Sequence, residues 1–314
     1  MAERSAAGQA RRRQGMTPLK KITRHWELYL LILPPLIWVI LFRYAPMYGL
    51  QIAFKNFKIA KGFWDSPWVG LKHFKSFFGS FYFGRLMYNT IAISLYSLIA
   101  GFFPPIILAV ALNECRLRRF TKVVQTISYM PHFLSTVVVT SIVIQLLSYR
   151  GFFNSVISAL GGTPQSWMGV PGLFKSIYVW SGVWQSVGYN SIIYLAALTG
   201  ISPDLQEAAT VDGANIWQRV WHVDIPGIIP TATIMLIMSS GSILNVGYEK
   251  VYLLQNDLNM SASDVISTYV YRRGLVDMDY SFSTAVNLFQ SVISLAMVTG
   301  VNAISRRVSE TSLW

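Results

Sequence analysis

Side chains that commonly perform catalysis or bind metals are few in this 314-residue chain, and they stand far apart. The histidines are His25, His73, His132 and His222, without an HExxH or similar spacing, which argues against a zinc site and a histidine-based catalytic centre. Cys115 is the single cysteine, so neither an intrachain disulfide nor a CxxC metal site can form. No GxxxxGKS or GxxxxGKT phosphate-binding loop occurs. We therefore predict no cofactor, no metal site and no ATP-hydrolysing site on this chain.

One loop concentrates charged and small residues at regular intervals. Residues 202–226 read SPDLQEAATVDGANIWQRVWHVDIP. Ser202 or Asp204 can cap a first short helix, which Gly213 ends. Asn215 can cap a second helix, which the proline at the end of the loop is expected to stop. The pattern predicts two helices joined by a rigid glycine corner.

The first of these helices is suited to a contact with another protein. Ala208 and Ala209 allow a second surface to approach closely, and the neighbouring Glu207 can form a charge-assisted hydrogen bond. In the second helix, Trp217, Val220 and Trp221 recur at helical spacing and are expected to root it in the bundle or in an interface. On local physics alone, a solvated amphipathic turn is the alternative.

The composition places the rest of the chain in a membrane. Hydrophobic residues make up 53% of it and charged residues only 13%, whereas a soluble domain carries about a quarter. The net charge of +12 suits flanks that face anionic lipid better than a surface for nucleic acid. We therefore predict contact with membrane lipid and no nucleic-acid partner.

Long stretches without Lys, Arg, Asp or Glu locate the membrane spans. A bilayer core about 30 Å thick requires about 20 helical residues. Five uncharged stretches are long enough: 86–113, 123–149, 176–203, 225–248 and 280–305. A sixth span begins after Glu27 as LYLLILPPLIWVILF and reaches Arg43, which can snorkel to an interface.

The charges outside the spans divide the chain and orient it. Residues 1–26 are polar and basic and are predicted to form a cytoplasmic tail, and residues 27–314 a single transmembrane domain. The tight turn at 113–123 contains four cations: Arg116, Arg118, Arg119 and Lys122. Because short cytoplasmic loops are enriched in Lys and Arg, we expect both termini to lie in the cytoplasm.

The loop at 202–226 also resembles a known motif. Its spacing is similar to the EAA motif of binding-protein-dependent ABC importers, which reads EAA, three residues, Gly, nine residues, Ile, any residue, Leu-Pro. The fixed positions are matched by Glu207, Ala208, Ala209, Gly213 and Pro226. Asp212 and Ala214 match the common DGA variant. At the Ile and Leu positions of the motif this chain has Val223 and Ile225, which are also aliphatic.

Further segments resemble one branch of that family. LYLLILPPLIWVILFRYAPMYGLQIAFKNF, SPWVGLKHFKSFF and RLMYNTI are similar to the polysaccharide-type permeases of Gram-positive bacteria, which are related to the maltose-importer permeases. The resemblance covers nearly everything after the basic tail. It implies the all-α integral membrane fold of a type I ABC importer permease, with six transmembrane helices and a cytoplasmic coupling loop at 202–226.

The resemblance also implies function and partners. Such a permease forms half of the path for an oligosaccharide or polysaccharide fragment across the cell membrane. Its partners are a second permease in a heterodimer, two ABC ATPase subunits and an extracytoplasmic sugar-binding protein. Each permease inserts its EAA helix into a cleft of one ATPase, which assigns ATPase coupling to the matched positions Glu207, Ala208, Ala209, Asp212, Gly213 and Pro226.

Polar stripes on the apolar spans are candidates for the substrate path. Asn287 and Gln290 share one face of the last span with several serines, for which hydrogen bonding between helices is the alternative. Trp180, Trp184 and Tyr194 share an arc of roughly 80° in the fourth span, where aromatic faces suit a sugar ring. Anchoring at the membrane interface is the alternative for Trp180. Asn245 is a further candidate.

Two other functions are disfavoured by what the spans lack. An ion-coupled secondary transporter normally keeps carboxylates at membrane depth, and the five uncharged stretches contain none. A multipass membrane enzyme requires a catalytic cluster, which the dispersed histidines do not provide. The loop 249–279 is a candidate contact for the external binding protein.

Overall fold

The computed structural model describes residues 26–308, and that part of the chain is helical between its turns and loops, without a β-strand. Residues 1–25, nearly all of the predicted basic tail, lie outside the described residues, as do residues 309–314. The division into tail and transmembrane domain therefore stays a prediction.

Between residues 26 and 159 the described chain contains six α-helices. They are α1 (Trp26–Val39), α2 (Lys72–Phe78), α3 (Phe83–Glu114), α4 (Arg118–Tyr129), α5 (Thr136–Leu147) and α6 (Phe152–Ala159). A π-helical turn (Ile40–Tyr44) and a 3₁₀ helix (Ala45–Phe54) extend α1 without interruption. Shorter 3₁₀ turns lie at Ile59–Lys61 and Met130–Phe133.

The second half follows a 3₁₀ turn at Trp167–Gly169. Its helices are α7 (Pro171–Thr199), α8 (Pro203–Val211), α9 (Ile216–Arg219), α10 (Ile225–Ser240), α11 (Tyr248–Leu254), α12 (Met260–Ser263), α13 (Ile266–Tyr271) and α14 (Tyr280–Val308). One π-helical turn (Val220–Asp224) joins α9 to α10, and another (Arg272–Val276) follows α13.

Five helical segments of the described chain are long and apolar enough to cross a membrane. They are Trp26–Phe54, Phe83–Glu114, Thr136–Ala159, Ile216–Ser240 and Tyr280–Arg307. The predicted fourth span forms α7, which has 29 residues and is long enough, but it is not among these five. Its sequence includes serines, tyrosines, an asparagine and a glutamine among the apolar residues. Five of the six predicted spans are therefore found as long apolar segments of the described chain, and the sixth, at α7, stays a prediction.

Two predicted spans have other boundaries in the structure. The stretch 123–149 is divided, because Pro131 lacks an N–H donor and lies in the 3₁₀ turn between α4 and α5. The stretch 225–248 starts earlier, at Ile216, and its helix ends at Ser240 in a turn that begins with Gly241. Uncharged sequence located the spans but not the ends of the helices.

The bundle is built around α3 and α7, which pack along one another. Gly188 of α7 lies so close to α4 that a Cβ there would collide with the backbone carbonyl of Ser128. α10 packs against both α7 and α14. At the end of the bundle where α7 meets the 202–226 loop, the buried residues Ala109, Tyr194 and Ile228 form a hydrophobic cluster.

Candidate functional site

Residues 202–226, here called the knuckle, begin with the predicted helix. The Ser202 hydroxyl accepts a hydrogen bond from the Asp204 N–H at 3.3 Å and so caps α8. After α8, Gly213 adopts φ +79°, and the Ala214 N–H donates to the Ala209 carbonyl at 2.9 Å. A left-handed glycine with this hydrogen bond is a common helix ending. The predicted cap and glycine corner are confirmed.

The second half of the knuckle begins as predicted but does not end as predicted. The Asn215 side chain accepts from the Gln218 N–H at 2.9 Å, and the Gln218 side chain accepts from the Asn215 N–H at 2.8 Å. The expectation that Pro226 stops this helix is wrong, because the chain stays helical to Ser240. The preceding π-helical turn already departs from α-helical hydrogen bonding, so the proline is accommodated there.

Polar contacts tie the knuckle together and to the bundle. The Arg219 guanidinium donates to Glu114 Oε2 at 2.9 Å and to the Thr210 hydroxyl at 3.3 Å. Glu114 is the last residue of α3. The Gln206 amide donates to Asp224 Oδ1 at 2.6 Å. The two halves of the knuckle are thus cross-linked, and an ion pair attaches them to α3.

The outer face of the knuckle is open and has mixed chemistry. Glu207 is exposed and takes part in none of the ion pairs of the described chain. Val211 is 87% exposed. Of the residues expected to root the second helix, Val220 is buried, whereas Trp217 and Trp221 are 74% and 65% exposed. The knuckle therefore presents an unpaired carboxylate beside apolar side chains.

A polar cavity of about 360 Å³ lies between α3, α7 and α10. Hydroxyl and amide groups line it from all three helices and the turn after α10: Ser94, Ser97, Tyr178, Ser186, Asn190, Tyr194, Ser239, Ser242 and Asn245. The Ser94 hydroxyl is buried and has no hydrogen-bond partner among the described residues. Such a group can bind a hydrogen-bonding ligand, because a buried polar atom without a hydrogen bond costs free energy.

Two of the predicted pathway residues line this cavity, and two lie beside it. Tyr194 and Asn245 are part of its wall. Asn287 and Gln290 line a neighbouring groove of about 410 Å³, to which Asn245 also contributes. The Gln290 amide donates to the Leu244 carbonyl at 2.9 Å, so this side chain also holds α14 to the turn after α10. Asn245 thus connects the cavity and the groove.

The two predicted tryptophans lie elsewhere. Trp180 and Trp184 line an apolar groove formed with α5 and α6, and they are 53% and 46% exposed. The Trp180 indole N–H donates to the Tyr96 hydroxyl at 2.8 Å. Trp184 and Tyr194 stand at opposite edges of the predicted arc, and the packing of α7 against α3 separates those edges.

Sequence reasoning missed several cavity residues. Ser186 and Asn190 line the cavity together with Tyr178 and Tyr194, at intervals of four or eight residues along α7. Residues four apart lie on nearly the same helix face, so this stripe was visible in the sequence. The tryptophans of α7 lie on another face and are the larger aromatic signal in the same stretch of sequence.

Comparison with known proteins places the chain in a family. Residues 101–310 match the binding-protein-dependent transport system inner membrane component. Protein LplB of Bacillus subtilis (strain 168) is 38% identical over 302 residues, 96% of this chain and 95% of the relative. The polygalacturonan/rhamnogalacturonan transport system permease protein YteP of the same strain is 39% identical over 298 residues, 94% of this chain and 92% of the relative.

Solved structures agree with these relatives. A chain of a bacterial ABC transporter involved in the import of the acidic polysaccharide alginate is 41% identical, with a TM-score of 0.86 over 93% of this chain and 99% of that one. A chain of a second structure, of a bacterial alginate ABC transporter in complex with an alginate pentasaccharide-bound periplasmic protein, is 40% identical. Its TM-score is 0.87, over 94% of this chain and 99% of that one. With its apolar helices and its EAA-like knuckle, the chain belongs to the family of binding-protein-dependent transport system inner membrane components, the multi-pass membrane permease subunits of ABC importers.

Proposed function

We propose that this permease forms half of the translocation path for an oligosaccharide or polysaccharide fragment, driven by ATP hydrolysis on a separate subunit. Relatives named for polygalacturonan, rhamnogalacturonan and alginate transport support a carbohydrate substrate. Family membership disfavours the two alternatives, an ion-coupled secondary transporter and a multipass enzyme. The observation that carries the proposal is that the knuckle connects α7 and α10, which both line the polar cavity.

The knuckle is the proposed contact with the ATPase subunit. The coupling residues are those of the EAA-like pattern: Glu207, Ala208, Ala209, Asp212, Gly213 and Pro226. Support comes from the open face of α8, where an unpaired Glu207 stands near the exposed Val211. A carboxylate beside apolar and small residues suits insertion into a cleft, because it combines close approach with a charged anchor.

The cavity is the proposed substrate path. Tyr194 and Asn245 contribute directly, and Asn287 and Gln290 through the adjoining groove. Hydroxyl and amide groups in an otherwise apolar bundle match the hydrogen-bonding rim of a sugar. The geometry favours a lipid-facing position for Trp180 and Trp184, whose groove is lined mainly by aliphatic side chains.

The connections between the two regions suggest how ATP hydrolysis would act on the cavity. α7 leads into the knuckle, α10 leaves it, and the Arg219–Glu114 ion pair attaches it to α3. These three helices are the walls of the cavity. A rigid displacement of the knuckle would therefore shift all three walls and alternate the access to the cavity.

The proposed role implies which side of the membrane the knuckle faces and which proteins bind this permease. The knuckle faces the cytoplasm and carries the ATPase, and both termini lie on the same side. The second permease, in a heterodimer, completes the path. An extracytoplasmic sugar-binding protein delivers substrate to the opposite end of the bundle. The similar alginate transporter in complex with an alginate pentasaccharide-bound periplasmic protein supports such a partner.

Reconstitution of the whole importer tests this proposal. In proteoliposomes with ATPases, second permease and loaded binding protein, Glu207→Lys should reduce stimulated ATP hydrolysis by about 10-fold or more, because it reverses the anchoring charge. Gly213→Pro should do the same, since proline fixes φ near −65° and cannot adopt the observed +79°. Normal stimulation of both variants would refute the coupling assignment.

Labelling tests the orientation separately. In a Cys115→Ser background, Ala208→Cys should react with a membrane-impermeant maleimide only after the cell membrane is opened. Leu160→Cys is the matched control, because Leu160 is 82% exposed in the segment before α7 and should react in intact cells. Labelling of Ala208→Cys in intact cells would place the knuckle outside and exclude ATPase coupling.

A further inference from the structure

A lysine lies against α7 beside the polar cavity, in contact with the cavity residue Tyr178. Along α7, Tyr178 and Ser186 both line the cavity. Gly182 stands midway between them, one helical turn from each, and therefore on the same face. A Cβ at position 182 would lie 3.1 Å from Nζ of Lys250. The ammonium of Lys250 thus lies against α7 at Gly182, between two residues that line the cavity, although Lys250 is not itself part of the lining.

The ammonium is held in this place by α7. Lys250 belongs to the first turn of α11, three residues after the cavity residue Gly247. Its Nζ donates to the Tyr178 carbonyl at 2.9 Å and lies 4.9 Å from the centroid of the Tyr178 ring. Both contacts use Tyr178, which itself lines the cavity.

Among the described residues, no carboxylate forms an ion pair with this ammonium. The ion pairs found within residues 26–308 involve arginines only, and Lys250 is in none of them. The residues that line the cavity are all uncharged. Burial lowers the pKa of Lys250 to about 8, so the amine remains largely protonated at neutral pH. A desolvated ammonium with spare N–H donors and no anion is costly.

We propose that the Lys250 ammonium binds the carboxylate of an acidic sugar unit in the cavity, which makes uronate-containing oligosaccharides the substrates of this permease. The inference rests on the proposed carbohydrate import and specifies its substrate class. The uncharged hydroxyl and amide groups of the cavity can form hydrogen bonds with the hydroxyls of a neutral sugar. A carboxylate gains in addition the Coulomb attraction of an ammonium whose surroundings screen it poorly.

A purely structural role for Lys250 is the alternative. The Lys250–Tyr178 contact also ties α11 to α7, and its loss would then affect all substrates equally. The two roles differ in selectivity, because only carboxylate binding distinguishes a uronate from its uncharged ester. The decisive quantity is therefore the ratio of uptake for the two forms, in which the preference of the binding protein cancels between variants.

The experiment uses the complete importer in proteoliposomes with saturating binding protein. The substrates are trigalacturonate and trimannuronate, their methyl esters, and maltotriose as a neutral sugar. Lys250→Met should lower the acid-to-ester uptake ratio by about 10-fold, whereas Lys250→Arg should retain most of it. Gly182→Ala should lower the ratio by roughly 3-fold, because its Cβ displaces the flexible ammonium without disturbing the helix.

A second lysine on α7 serves as the matched control. Lys175 lies over the Tyr88 ring at 4.0 Å, and Tyr88 does not line the cavity, whereas Lys250 contacts the lining residue Tyr178. Lys175→Met removes the same charge and should leave the uptake ratio unchanged. An equal fall in this control would overturn the inference, because it would assign the effect to overall charge.

The remaining outcomes separate this inference from the proposed function. If the wild type imports only neutral sugars, or if Lys250→Met and Gly182→Ala keep the wild-type ratio, carboxylate binding is refuted and carbohydrate import stands. If the wild type imports no saccharide of either kind, both fail. Should Lys250→Met not reach the membrane, the Gly182→Ala ratio decides alone.

Discussion

The knuckle and the polar cavity use polar groups in opposite ways. In the knuckle, Arg219 and Gln206 are paired within the protein, while the unpaired carboxylate of Glu207 is exposed. In the cavity, polar groups are surrounded by apolar helices, and the buried Ser94 hydroxyl has no partner among the described residues. The knuckle is held by internal hydrogen bonds and an ion pair, although Gln206 Oε1 and Asp224 Oδ2 are buried there without a partner among the described residues. The cavity instead arranges its hydroxyl and amide groups around an open space.

This difference indicates two different tasks. A segment cross-linked by its own caps and ion pair moves as a unit, so it can transmit a displacement imposed on its outer face. A cavity with unsatisfied groups selects a ligand that supplies the missing partners. Damage to the knuckle should therefore abolish coupling for every substrate, whereas damage to the cavity should impair import and leave the response of the ATPase to the knuckle intact.

The largest effect is expected from reversing the charge of Arg219. Arg219→Glu places two carboxylates together where the side chains are each only 18% exposed, and like charges there repel. Substrate-stimulated ATP hydrolysis and import should both fall by about 10-fold or more, measured on the reconstituted importer.

The charge-swapped protein is the control for this variant. Glu114→Arg combined with Arg219→Glu should recover at least part of both activities, because the ion pair is restored in reverse. If the single Arg219→Glu variant remains fully coupled, the knuckle is not fixed to α3 in the way the structure indicates.

A large but more selective effect is expected from Asn190. Asn190→Leu replaces a cavity amide by an apolar group of similar size, which removes hydrogen bonds to the substrate. Import should fall by about 10-fold, while the basal ATPase rate of the complex stays unchanged. Uptake and ATP hydrolysis measured on the same proteoliposomes check this. A parallel loss of basal ATP hydrolysis would erase the distinction between the two regions.

A smaller effect is expected from Ser94. Ser94→Ala removes one unpartnered hydroxyl, so import should fall by about 3-fold, the value of a modest hydrogen bond. The same variant should unfold at a temperature equal to or slightly above that of the wild type, because no internal bond is lost. A marked fall in the unfolding temperature would show that Ser94 has a structural role instead.

The smallest effect is expected from Trp184, which the sequence analysis identified as a candidate for the substrate path. Trp184→Leu should change import by less than about 2-fold, because its indole lines an apolar groove apart from the cavity. Uptake by the reconstituted importer measures this. A loss as large as that of Asn190→Leu would place Trp184 back on the substrate path.

The knuckle shows how far local sequence signals reach. Ser202, Gly213 and Asn215 act within a few residues, so capping and turn rules predicted both helix starts and the corner between them. The same rules failed at Pro226, because the π-helical turn before it depends on how the chain enters the bundle. The EAA-like spacing identified the family without reference to any long-range contact.

The cavity shows what local sequence signals cannot predict. Its walls combine Ser94, Asn190 and Asn245, which are distant in sequence and meet only because α3, α7 and α10 pack together. Helical periodicity restricted Tyr194 and Trp184 to a common arc but could not decide which edge of that arc would face α3. The pairing of Arg219 with Glu114, 105 residues apart, was likewise invisible in the sequence.

Composition, hydrogen bonds between near neighbours and a spaced motif were therefore enough to predict the membrane class, the approximate spans, the knuckle and the family. Only the packing of the helices revealed which polar side chains meet, where the tryptophans face and that the Lys250 ammonium lies against Gly182. The physical reason is that a helix fixes the angles of its own side chains, whereas the choice between facing lipid and facing a cavity depends on its neighbours.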